Sequence, residues 1–137
     1  VQKPVYRTPN AAPVPSRAVP LALVCAVAVF LPYAGRIDLG VQLPEALYGF
    51  GLWVVALSAM FARWRLGFGL PWAAFVAGAG VPLAVLAKLM VDLASDPTSH
   101  NLWPFELAIA AAVGFAAGLV GALAGWLMSV LAPPRGA

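Results

Sequence analysis

The side chains able to do chemistry gather in one stretch: Lys88, Asp92 and then Asp96-Pro97-Thr98-Ser99-His100-Asn101-Leu102-Trp103-Pro104-Phe105-Glu106. Lys88 and Asp92 are four residues apart, so on a helix they stand on one face and pair. Asp96 before Pro97 is turn chemistry, with a carboxylate placed to accept nearby backbone N–H groups. Thr98, Ser99 or Asn101 supplies a cap for a following helix, and Trp103 is a side chain that anchors at lipid headgroups. His100 is the single histidine of the chain. Oriented by Asp96 or Glu106, it suggests a proton carrier or a metal ligand. One histidine with carboxylates falls short of the three protein ligands of a catalytic zinc. Ser99 beside His100 is no triad, because adjacency in sequence does not set hydrogen-bond geometry. The segment therefore reads as a hydrogen-bonded turn between two helices. Any polar site on that face draws on Lys88, Asp92, Asp96, His100, Asn101 and Glu106, and no catalytic residue, metal or cofactor is assigned.

A second constellation carries packing instead of chemistry. Ala111, Gly114, Gly118, Gly121 and Gly125 recur at spacings of 3, 4, 3 and 4. At about 100° per residue these five stay within an arc of about 80° on a helix. Small residues in such a register let another helix approach to backbone contact, a main source of helix association in lipid. The neighbour is another helix of the same chain, a second copy, or a different membrane subunit. The stripe alone does not choose among them.

The elements that must position these residues follow from composition. Of 137 residues, 63% are hydrophobic and only 9% charged, against roughly 25% charged in an ordinary soluble domain. That composition predicts a membrane protein with no room for a separate soluble domain. Residues 1–17 hold Pro4, Pro9, Pro13 and Pro15 and no apolar period, which predicts an extended, disordered tail. Four apolar runs follow, predicting helices over 18–35, 44–62, 70–91 and 104–131, with a short tail over 133–137. The first run lies between Arg17 and Arg36, a helical length of about 28 Å, close to the ~30 Å of a hydrocarbon core. A cleaved signal peptide also begins basic and continues apolar, but three more apolar runs follow and no small-x-small site closes the first. Pro44-Glu45 and Pro104-Phe105-Glu106 have the marks of helix starts, with proline in the first turn and a carboxylate at the positive end of the dipole. Pro82 predicts a kink in the third run, and with Gly78-Ala79-Gly80 it marks the break that a small-solute carrier working through backbone groups would use. The expected fold is all-α: four transmembrane helices packed as a small bundle.

Charge sets the direction. With four crossings, Lys3, Arg7, Arg17, Arg63, Arg65 and Arg135 share one face, while Arg36, Lys88 and all five acidic residues, Asp38, Glu45, Asp92, Asp96 and Glu106, fall on the other. The positive-inside rule puts both termini in the cytoplasm. Tyr33, Tyr48 and Trp103 then belong to the outer aromatic belt, and Trp64, Trp72 and Trp126 to the inner one. Cys25, the single cysteine, is read as a small buried hydrophobe. The basic residues are too dispersed for a nucleic-acid surface or a polybasic lipid cluster. Almost no charge falls inside the apolar runs, which disfavours a proton relay, a charge-lined channel or a bis-histidine haem site. The expected role is a subunit acting by helix packing in a larger bacterial cytoplasmic-membrane complex. Its partners are lipid and either other membrane subunits or itself. The rival is a small-molecule or lipid-binding protein, a carrier or interfacial enzyme, using the outer loop from Asp92 to Glu106.

Overall fold

A computed structural model describes residues 15–34, 49–95 and 103–132, and every regular element among them is a helix: α1 (Pro15–Ala34), α2 (Phe50–Trp64), α3 (Leu70–Gly78), α4 (Gly80–Ser95) and α5 (Trp103–Leu131). Helices α3 and α4 are one apolar leg broken at Ala79, so the described residues form four helical legs. Two of them, Leu70–Ala94 and Trp103–Leu131, are long and apolar enough to cross a membrane, whereas Ser16–Leu31 and Phe50–Trp64 are shorter apolar helices.

The boundaries differ from the sequence expectation where glycine and proline act. Helix α1 begins at Pro15, so residues 15–17 are helical and not tail; proline suits a first turn, where its missing N–H has no partner to lose. Helix α2 does not run through from Pro44: Gly49 is extended (φ −85°, ψ −159°), and its carbonyl accepts from Leu52 N–H at 3.2 Å to open the helix at Phe50. The expected start at Pro44-Glu45 lies outside the described residues. At its other end α2 passes Ala62 and stops at Trp64. Gly67 there has φ +71°, a left-handed conformation that costs glycine little, and this lets Phe68 N–H reach the Ala62 carbonyl at 3.1 Å.

The third leg breaks at Ala79, within the expected Gly78-Ala79-Gly80 stretch and one turn before Pro82. Pro82 has no N–H for the Gly78 carbonyl four residues back, so the helical ladder opens between Gly78 and Gly80. Pro71 occupies the first turn of α3.

Close contacts fix the relative directions of the legs. Gly121 and Gly125 of α5 meet Ala56 and Met60 of α2, so these two helices run parallel. Gly114 and Gly118 meet Gly78 and Ala74, so α5 runs antiparallel to α3. Gly51 of α2 lies against Val29, and Gly80 against Cys25 and Ala26, which seats α1 on α2 and α4. Helix α5 thus packs on α2, α3 and α4, while α1 covers the far side of α4 and α2. The starts of α1 and α3 and the finishes of α2 and α5 consequently share one end of the bundle.

The interior is built of small residues. Cys25, Val29, Val55, Ala59, Ala62, Ala73, Ala74, Ala77, Val81, Ala84, Ala110 and Ala122 are buried, with Phe68 the largest side chain among the buried apolar residues. On α1 the inward positions Ala18, Leu21, Ala22, Cys25 and Val29 follow helical spacing.

Candidate functional site

The glycine constellation of α5 is a two-sided seam. On Gly114, a β-carbon would strike the Gly78 carbonyl oxygen and come within 2.9 Å of the Val81 side chain; on Gly118 it would strike the Ala74 carbonyl. One helical turn further, the seam changes partner. A β-carbon on Gly121 would lie 2.6 Å from the Ala56 carbonyl carbon, and one on Gly125 would lie 2.5 Å from the Met60 carbonyl oxygen. Real β-carbons do not approach backbone this closely, so all four positions require glycine for the helices to sit where they do. Backbone carbonyls of α2 and α3 point at the α-carbons of α5, the geometry in which weak Cα–H···O contacts form.

Four of the five stripe residues, Gly114, Gly118, Gly121 and Gly125, are buried against other helices of the same chain. Ala111 is exposed, and Ala110 is buried in its place. The reason is the course of the contact along α5. Ala110, Gly114, Gly118 and Ala122 fall on one ridge of residues four apart, and the seam follows that ridge instead of the strict alternation of three and four.

The polar constellation is only partly within the described residues. Lys88 Nζ donates to Asp92 Oδ1 at 2.6 Å, with both side chains half-buried at 22% and 27% exposure. Glu106 sits in the first turn of α5, where a carboxylate favours the positive end of the dipole. Asp96, His100 and Asn101 lie outside the described residues. No group of three His, Cys, Asp or Glu side chains gathers among the described residues.

Two further features stand outside these two constellations, the first of them at the expected break. The broken leg is gripped from both sides. Gly80 is seated on Cys25 and Ala26, where a β-carbon would lie 2.8 Å from the Ala26 nitrogen, and a β-carbon on Gly78 would lie 2.7 Å from the Gly114 oxygen. The other is the finish of α2. Trp64 donates its indole N–H to the Ala132 carbonyl at 3.0 Å, tying α2 to the end of α5. The Arg65 guanidinium lies 4.2 Å from the centroid of the Trp64 ring. Arg63 is half-buried beside Gly125, and its Nε is buried with no hydrogen-bond partner among the described residues. The sequence signal was present in Arg63-Trp64-Arg65, which served only to end a helix and orient it. No protein-family model, curated protein or solved structure matches the chain.

Proposed function

We propose that this chain is a four-crossing integral membrane protein of a bacterial cytoplasmic membrane, with both termini in the cytoplasm, acting by helix packing as an accessory or assembly subunit of a larger membrane complex. The observation that carries the reading is an inversion of side-chain size. Glycine, alanine and valine fill the interior, while Phe50, Trp53, Phe105, Val120 and Leu131 are 65–71% exposed on the outside. In water, large apolar side chains are the ones a fold buries. In lipid, burying them gains little, and close backbone approach at small residues holds helices together. Charge at the two ends agrees with the orientation: Arg17, Arg63 and Arg65 stand at one end, and the Lys88–Asp92 pair and Glu106 at the other.

A role in packing is supported by the interior itself, which among the described residues buries no polar or charged residue. Because Gly114, Gly118, Gly121 and Gly125 are occupied within the chain, a partner would dock on the outward apolar faces and not on the glycine seam. The rival reading, a lipid- or small-solute-binding protein, rests on the half-buried Lys88–Asp92 pair at the opposite end. Native mass spectrometry after extraction in mild detergent separates the two. A stoichiometric second membrane polypeptide supports the subunit reading. A homogeneous assembly of this chain alone, carrying lipid or solute, overturns it in favour of the rival.

A further inference from the structure

The finish of α2 holds a buried cationic donor with nothing to bond. Arg63 Nε is shut from solvent and unpartnered, although buried N–H groups in folded proteins nearly always find an acceptor. Its aliphatic stem is fixed against α5, the Arg63 β-carbon standing 3.0 Å from where a β-carbon on Gly125 would be. Two residues on, Arg65 is held over the Trp64 ring, and Trp64 is tied through its indole to Ala132. The end of the bundle therefore carries two guanidinium groups on a braced support. Neither can be met by a described carboxylate, since Asp92 and Glu106 lie at the other end. One turn before Arg65 on the same helix, Phe61 is exposed and apolar. A charged donor edge beside an apolar surface matches a ligand with an anionic head and hydrocarbon tails.

We propose that the guanidinium groups of Arg63 and Arg65 bind anionic phospholipid headgroups in the cytoplasmic leaflet, the buried Nε edge of Arg63 fixing how its group is presented. Guanidinium is suited to this: its planar donors match phosphate oxygens, and it sheds water more readily than an ammonium group. Arg65 adds a second fixed positive charge. Basic residues at the cytoplasmic ends of helices are where such headgroups collect. The inference rests on the membrane reading above, and the experiment keeps the two apart.

The purified full chain in mild detergent is titrated with phosphatidylglycerol or phosphatidylcholine, and bound lipid is counted by native mass spectrometry for wild type, R63Q, R65Q and the double variant. Preference for phosphatidylglycerol is expected in wild type, falling roughly fivefold for each arginine removed. R63K is expected to recover part of the R63Q loss, since it restores charge without the fork. Should R63Q fail to fold, R65Q, altered at an exposed side chain, carries the test. Equal retention of both lipids by a chain that resists alkaline extraction from vesicles overturns the site and leaves the membrane reading intact. So does a preference unchanged in both variants. Release of the bound lipid by millimolar inorganic phosphate would make the ligand free phosphate and not lipid. A chain that fails to enter vesicles at all overturns the membrane reading itself.

Discussion

Replacing Gly121 by alanine adds one methyl group at the tightest point of the seam. That methyl carbon would lie 2.6 Å from the Ala56 carbonyl carbon and 2.8 Å from its α-carbon. Ordinary contact begins near 3.4 Å, and the Ala56 carbonyl oxygen stands closer than either carbon, so α2 and α5 must part by at least about 0.8 Å. A gap of 0.5–1 Å forfeits a quarter to a half of each dispersion contact across it. The neighbouring Gly125–Met60 contact opens with it. Overpacking of this kind costs about 1–3 kcal/mol, and the higher helix propensity of alanine returns up to about 1 kcal/mol in a helix interior. Because the clash is with backbone that no rotamer can relieve, the cost falls at about 2–3 kcal/mol in that range, and the net expectation is a loss of about 1–2 kcal/mol, and more for Gly121→Leu. Cys25 supplies the assay, because it is the single cysteine and is fully buried. Maleimide reaches it only when the bundle opens. A 1–2 kcal/mol loss raises the open fraction, and with it the labelling rate in mild detergent, roughly 5- to 30-fold. Val120→Ala, at an exposed neighbouring position, is expected to change the rate less than about twofold. Labelling of Gly121→Ala at or below the wild-type rate would refute the reasoning, since the seam would then tolerate a β-carbon.

Other consequences can be checked alongside. Gly80→Val presses on the α1 backbone at Cys25 and Ala26 and is expected to unfold the bundle more readily than Gly69→Val, where a β-carbon meets nothing within 4 Å; a thermal melt compares them. Asp92→Asn removes one i,i+4 ion pair and is expected to cost less than about 1 kcal/mol by the same labelling assay; a larger loss would mean that Asp92 organises more than its pair. A cysteine at Ser99 is expected to react with impermeant maleimide from outside intact cells while one at Thr8 does not, and the reverse pattern inverts the proposed orientation. His100→Gln is expected to leave assembly and stability unchanged between about pH 5 and 8, near the ordinary histidine pKa of about 6.5; loss of a pH-dependent behaviour would give the histidine a role beyond the turn.

The helices were legible in the apolar runs because lipid-scale apolar length is a strong signal. The glycine register on α5 was legible as a packing stripe for the same kind of reason. What a periodic pattern cannot hold is the path of a neighbour across the helix, so Ala111 was placed in the seam that Ala110 occupies. Nor does it divide the stripe between partners: Gly114 and Gly118 serve α3, and Gly121 and Gly125 serve α2. The break at Ala79 falls in the expected Gly78-Ala79-Gly80 stretch, one turn before Pro82, because proline acts on the carbonyl four residues upstream. Helix α2 opens at Phe50 after an extended Gly49, while the start expected at Pro44 lies outside the described residues. The basic finish of α2 needed the fold, since only tertiary contact shows that Arg63 Nε is buried without a partner.

The inversion of side-chain size is tested most directly by the environment of an outward residue at mid-helix. A nitroxide attached to Val120→Cys in the full chain, reconstituted in lipid nanodiscs with buried Cys25 left in place, reports collision with oxygen against a water-soluble nickel chelate. Lipid-facing placement predicts strong relaxation by oxygen and weak relaxation by nickel, as for a label deep in hydrocarbon. Strong nickel access at Val120 would contradict the account, because its large outward side chains would then face water.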